Sequence, residues 1–169
     1  KIDMIKSHNA KVHIIEGSRD NCANVCREAV MNEGKYYASH VYNPFFYEGT
    51  KTYIFEIYEQ LGRIPKNIFV PLGNGTLFIG VIKGLEELIY SGIIDKMPNV
   101  VAIQSENCDP FVQAVLNRKT YPVEVDVKPT MAEGIAIGEP KRGKEIYDYI
   151  YKYNLKVITA PENMIKVAR

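Results

Sequence analysis

A surplus of either charge is missing from this sequence: 21 Lys and Arg stand against 20 Asp and Glu, and like charges never gather over more than a few positions. Nucleic-acid backbones and anionic lipid surfaces recruit basic patches, so neither is an expected partner. Long apolar runs are missing too. The longest stretch without a charge, Asn67–Ile82, is interrupted by Pro71, Gly73, Asn74 and Gly75, and is too punctuated for a membrane-spanning helix. Cysteine is scarce. Cys22, Cys26 and Cys108 cannot all pair, which fits a reducing cytoplasm better than a disulfide framework. Repeats and low-complexity tracts are lacking. What is present is 46% hydrophobic and 24% charged residues over 169 positions, enough for a core that buries roughly 70% of the extended surface. The chain opens at Lys1 with neither an initiator Met nor an apolar leader, so it is expected to be a piece of a longer protein.

Strand and helix signals alternate along the chain. Lys11–Glu16 is a β-branched run closed by Gly17, followed by a helix predicted from Ser18 as N-cap to Glu33, with Gly34 as its end. Cys22, Cys26, Ala29 and Val30 share a face of that helix, which reads the two cysteines as core residues and not as a metal or redox pair. Tyr36–Tyr42 is a further strand candidate, ended by Asn43-Pro44. A helix is predicted from Gly49 to Leu61, with Gly62 after it and Lys51 as a solvated lysine. Asn67–Leu72 is apolar without alternation, the pattern of a strand covered on both faces. Further strands are predicted at 99–104 and 155–159, with helices at 77–90, 109–116, 144–151 and 161–167. The fold class is therefore α/β, a mainly parallel sheet flanked by helices, with 67–72, 99–104 and 155–159 in one sheet.

Between the apolar strand and its helix stands Gly73-Asn74-Gly75-Thr76-Leu77. Glycines at 73 and 75 allow positive φ and close backbone approach, Asn74 tolerates the left-handed region, and Thr76 adds a hydroxyl. The first turn of the helix is nearly all apolar, so its N–H groups start away from bulk water and need partners. The result is a cup suited to a phosphate, or else a tight turn without a ligand. A P-loop would require Gly-Lys-Ser/Thr and a dinucleotide fold Gly-x-Gly-x-x-Gly, and neither is met. Gly80 and Gly84 are read as close helix packing.

Asn43-Pro-Phe-Phe-Tyr-Glu-Gly-Thr-Lys-Thr52, Phe55-Glu-Ile57, Val70-Pro-Leu-Gly-Asn-Gly-Thr76, Gly92-Ile-Ile-Asp-Lys-Met-Pro98 and Thr130-Met-Ala-Glu-Gly-Ile-Ala-Ile-Gly-Glu-Pro140 together resemble the threonine synthases. These are pyridoxal-phosphate (PLP) enzymes of fold type II, the tryptophan synthase beta-like architecture. The resemblance implies PLP as cofactor, with its phosphate at Gly73, Asn74, Gly75, Thr76 and Leu77. It also implies a wall against the cofactor ring at Glu133, Gly134 and Ile135. From residues alone, Thr130 with Glu133 also reads as a capping box at an ordinary helix start, and both readings can hold. Asn43–Thr52 is implied to run near the active site.

The resemblance further implies residues 1–35 as the last unit of a small domain and 36–169 as part of a large PLP-binding domain. The family's early Ser-Phe-Lys-Asp type segment, which brings the lysine that bonds the cofactor, has no counterpart here, so the chain alone is expected to be inactive. The implied reaction of the whole enzyme converts O-phospho-L-homoserine and water to L-threonine and phosphate. Other fold-type-II activities, a serine/threonine dehydratase or a cysteine synthase-like enzyme, stay open, as does a non-catalytic module that binds a phosphorylated metabolite. The chain is expected to expose apolar surface where missing segments would pack and to form a homodimer or rearrange to cover it; 12 Tyr and 6 Phe are frequent, and Tyr42–Tyr47 is the most apolar loop-like stretch.

Overall fold

A computed structural model describes residues 2–17 and 19–168, the side chains of 19 and 20 aside. Two compact units are present, Lys1–Ser39 and His40–Arg169. The first holds helices α1 (Ile2–Ser7) and α2 (Arg19–Glu33). Gly34 takes φ 63° after α2, the left-handed stop that its position predicts. The expected cap at Ser18 lies outside the described residues. Lys11–Glu16 is not a strand, and neither is Tyr36–Tyr42. A β-branched run forms a strand only where another strand offers a ladder, and this unit has none among its described residues. Cys22 and Cys26 are exposed free thiols, contrary to their reading as core. The face they share is too mixed to act as a buried stripe, since no described residue of α2 is buried.

The second unit runs α3 (Phe45–Thr50), α4 (Thr52–Leu61), β1 (Asn67–Pro71), α5 (Thr76–Tyr90), β2 (Asn99–Ser105), α6 (Pro110–Leu116), a 3-10 turn (Glu133–Ile135), α7 (Gly143–Lys152), β3 (Lys156–Ala160) and α8 (Glu162–Ala168). The three strands form one parallel sheet in the order β1-β2-β3, with Ile68 beside Val100, Val70 beside Ala102 and Ala102 beside Val157. That row of residues and the buried sides of α5 and α7 make a single core with Phe78, Ile82, Leu85, Phe111, Ile146 and Tyr147. The other row is covered only in part: Val101 on β2 is buried, but Phe69 is 59% and Ile158 42% exposed, and β1 is an edge strand with alternating burial. The apolar run at 67–72 therefore does not mark a doubly covered strand within this chain. Apolarity records what both faces of a strand tolerate, while coverage depends on which elements the chain brings to them.

The predicted helix at 49–61 is two helices, α3 and α4, joined at Lys51, with Gly62 at φ 64° closing the second. α5 crosses this pair at backbone distance. A Cβ on Gly80 would overlap Thr50 Oγ1 and lie 2.9 Å from the Thr50 carbonyl carbon, and one on Gly84 would lie 2.8 Å from the Lys51 carbonyl oxygen. The contact places Lys51 in a web of ion pairs with Glu48 and with Glu87 at 2.7 Å, and Lys83 joins Glu48 at 3.1 Å. The Lys51 side chain is only 17% exposed and its ammonium is held above the usual lysine range by Glu48 and then Glu87, so it is not the solvated lysine expected.

Two glycine substitutions should move stability in opposite directions. Gly49→Ala meets nothing within 4 Å in α3 and is expected to stabilise by about 0.5–1 kcal/mol through helix propensity. Gly80→Ala gains the same propensity but forces the helix from Thr50, and overpacking should win by about 1–2 kcal/mol. Urea unfolding of the two variants checks both signs.

Candidate cofactor site

β1 ends at Pro71, and Leu72 continues the ladder by giving its N–H to the Ile103 carbonyl at 2.8 Å. The chain then turns into α5 through Gly73, Asn74 and Gly75. Gly75 is the N-cap at φ 83°, a conformation that L side chains rarely adopt. The first bond of the helix runs from the Ile79 N–H to the Gly75 carbonyl at 2.8 Å. The N–H groups of 73 to 78 donate to no acceptor among the described residues. Gly73, Gly75 and Phe78 are buried, so bulk water is a poor substitute partner for these donors. No acidic residue lies in the first turn, and the positive end of the helix dipole is left uncancelled. The side-chain oxygen Oδ1 of Asn74 is buried as well and has no donor.

The second candidate segment lies directly against this cup. A Cβ on Gly73 would stand 2.9 Å from Ile135 Cα, 3.3 Å from Ile137 Cγ1 and 3.4 Å from the Gly134 carbonyl oxygen. Glu133, Gly134 and Ile135 form the 3-10 turn, with Ala132 as its N-cap. The capping box is not formed: the Thr130 hydroxyl accepts from the Ala132 N–H at 3.1 Å and donates to Glu162. Two roles differ from those read in the sequence. The Thr76 hydroxyl donates to the His40 carbonyl at 3.2 Å, so its proton is spent on the neighbouring loop. A Cβ on Gly75 would strike Ile146 Cδ1 and lie 2.8 Å from Ile146 Cγ1, so its small size serves the packing of α7 beneath the turn.

Residues that carry no motif hold these parts in place. Gln104 is fully buried at the end of β2. Its Oε1 accepts from the Phe111 and Val112 N–H groups at 2.9 and 3.2 Å, and its Nε2 donates to the Leu72 carbonyl at 3.4 Å. One amide thus caps α6 and ties down the residue before the cup, which needs a group that both donates and accepts. Arg142 gives its Nε–H to the Val41 carbonyl, reaches the Tyr42 carbonyl at 3.3 Å and pairs with Glu145 at 2.7 Å. Its guanidinium lies 4.6 Å from the centre of the Tyr47 ring. Tyr47 is buried, donates to the same Val41 carbonyl at 3.2 Å, and has its phenol pushed up to about 12 by that burial. The loop 40–43 is therefore held at its backbone from α3, α5 and α7. An amide inside an apolar strand and an arginine before a helix carry no periodic signal, so both escape sequence reading.

Among the described residues no group of three His, Cys, Asp or Glu is placed to hold a metal, and no helix is long and apolar enough to cross a membrane. The half-buried run of N–H donors and the Cβ-free approach at Gly73 fit the phosphate end of PLP.

Gln104→Met keeps the volume but leaves the Phe111 and Val112 N–H groups and the Leu72 carbonyl without their partner. It is expected to cost about 2–4 kcal/mol and to raise hydrogen exchange at 111 and 112. Unfolding midpoints and amide exchange check this, and an unchanged midpoint would show the amide to be dispensable.

The family profile described as "Pyridoxal-phosphate dependent enzyme" matches residues 1–169. Curated relatives include the threonine synthase of Methanocaldococcus jannaschii, 32% identical over 89% of this chain and 37% of that protein. The threonine synthase of Methanosarcina acetivorans is 33% identical over 83% of this chain and 35% of that protein. The chain thus spans little more than a third of the length of these relatives. Among solved structures, maize serine racemase superposes with a TM-score of 0.77 at 17% identity, over 99% of this chain and 49% of that one. The threonine deaminase of T.th. gives 0.75 at 17% identity, over 96% of this chain and 51% of that one. These likenesses show the fold-type-II architecture, and the profile match implies PLP as the cofactor. The chain belongs to the pyridoxal-phosphate dependent enzyme family.

Proposed function

We propose that this chain is the phosphate-binding and ring-wall part of a threonine synthase that converts O-phospho-L-homoserine and water to L-threonine and phosphate. The observation that carries the reading is the run of N–H groups from Gly73 to Phe78 without an acceptor among the described residues, at a loop where Gly73, Gly75 and Phe78 are buried. The relatives named threonine synthase support the synthase reading over the other activities. In this reading Gly73, Asn74, Gly75, Thr76 and Leu77 receive the cofactor's phosphate, and Glu133, Gly134 and Ile135 lie along its ring. Residues 1–35 then end the small domain and 36–169 belong to the large one.

When bound, PLP supplies an electron sink for a substrate amino acid. The chain's own part is positional. Backbone N–H groups fix the phosphate, and the α5 dipole favours its charge. Gly134 and Ile135 exclude water on one side of the ring, and Arg142 with Tyr47 holds the 40–43 loop at its carbonyls. The lysine segment of the family has no counterpart within these 169 residues. The isolated chain is accordingly read as binding phosphate without turning substrate over. The whole enzyme is read as a cytoplasmic homodimer. Turnover of O-phosphohomoserine against serine by the protein containing this chain separates a synthase from a dehydratase or a cysteine synthase-like enzyme. Turnover of none of them would favour a phosphometabolite-binding module.

Inorganic phosphate titrated into the chain should shift the amides of 73–78 saturably. Asn74→Asp keeps the shape and adds a negative charge at the cup, so affinity should fall by about tenfold or more. Wild-type amides that do not respond, or an Asn74→Asp variant that binds equally well, would overturn the assignment.

A further inference from the structure

Glu162 opens α8 and gathers donors from two other segments. Its Oε1 accepts from Ser105 Oγ at 2.6 Å and from Thr130 Oγ1, and its Oε2 accepts from the Met131 N–H at 3.0 Å. Each hydroxyl in turn accepts from a backbone N–H: Asn107 to Ser105 Oγ and Ala132 to Thr130 Oγ1, both at 3.1 Å. Every proton in this chain of bonds runs toward the carboxylate. Only a group that accepts at both oxygens satisfies such a pattern, because an amide in its place would set an NH2 against one of the donors. The Glu162 N–H is itself taken by Glu106 Oε1 at 2.7 Å. Residues 128–129 are tied to the same corner, through Asn107 Nδ2 to the Pro129 carbonyl at 2.6 Å and the Lys128 N–H to the Asn107 carbonyl at 3.1 Å. The segment so held, 130–132, leads without a break into the 3-10 turn whose backbone touches Gly73.

We propose that Glu162 is a positioning residue for the cofactor: by gathering Ser105, Thr130 and Met131 it sets where Gly134 and Ile135 stand against the cup. The inference rests on the cofactor reading above. Glu162 acts through the loop and has no assigned contact with the cofactor. The donor hydrogen bonds, Ser105 first and then Thr130 and Met131, hold its carboxyl below the ordinary carboxylate value of 4.5. Glu106 is the titratable group that faces it, and Lys166 lies one turn along α8. A carboxyl depressed in the folded state contributes fully above its unfolded value, and that contribution is lost as pH falls through the lower folded value.

The test uses the whole protein that contains this chain, and follows its amides without ligand and its visible circular dichroism when loaded with PLP. In wild type, Met131 and Ala132 should titrate together below pH 4.5, and the cofactor dichroism should fall in the same step. Glu162→Gln should abolish that step and cut the dichroism by about half or more, since a site loosens when its supporting bonds are removed. Phosphate affinity at 73–78 should change by less than about threefold, because those donors share no partner with Glu162. Thr130→Ser should behave as wild type and Thr130→Val as Glu162→Gln, and the pair decides the matter if Glu162→Gln does not fold. Unchanged dichroism in Glu162→Gln or Thr130→Val, equal loss in Thr130→Ser, or a wild-type dichroism that ignores the Met131 titration would overturn the positioning role. Wild-type protein that shows neither a phosphate shift nor a cofactor signal would instead overturn the cofactor reading itself.

Discussion

Helix α5 begins inside the protein, and along one seam glycines let its neighbours come up to its backbone. Gly75 rests over Ile146, Gly80 over Thr50 and Gly84 over the Lys51 carbonyl. The packing of α3, α4 and α7 against α5 leans on that seam. It lets the Thr50 hydroxyl reach the Thr76 carbonyl at 3.2 Å, brings Lys51 between Glu48 and Glu87, and holds the first turn of α5 at the end of β1. Unsatisfied donors at a buried helix start are costly, so a fold that keeps them must be over-determined elsewhere. The core around Phe78, Ile79 and Ile82, none of which is exposed, supplies that determination.

Polar groups set the finer geometry at the strand ends. Gln104 near the end of β2 and Glu162 just past β3 each accept two or more hydrogen bonds, and they differ in what else they must do. Gln104 also gives a proton to the Leu72 carbonyl, which requires an amide. Glu162 receives at both oxygens, which requires a carboxylate. The two side chains are not interchangeable, and the difference is one of proton bookkeeping more than of size.

Much of this was legible in the chain itself. The three parallel strands, the helix after the glycine loop and the stops at Gly34 and Gly62 rest on local rules of periodicity and capping, and each appears within a residue or two of its predicted place. The cup and the 133–135 turn could each be read singly from glycines and resemblance. Their mutual contact could not, since it depends on a close approach between residues some sixty positions apart. The strand at 11–16 and the buried cysteines failed for a common reason: both assumed partner surfaces that only tertiary structure supplies. Lys51 failed differently, because helix periodicity does not reveal a break between two helices or an ion pair across to α5.

The order of the sheet has a consequence for how the unit can be made. β1, β2 and β3 lie side by side in the order in which they are synthesised, so each strand docks on the edge left by its predecessor. Among the described strands, none has to enter between two that are already paired. A growing polypeptide can therefore close the β1–β2 ladder, and with it the turn into α5, while β3 is still being added. The donor-lined turn can thus form before Glu162, which follows β3, takes its place.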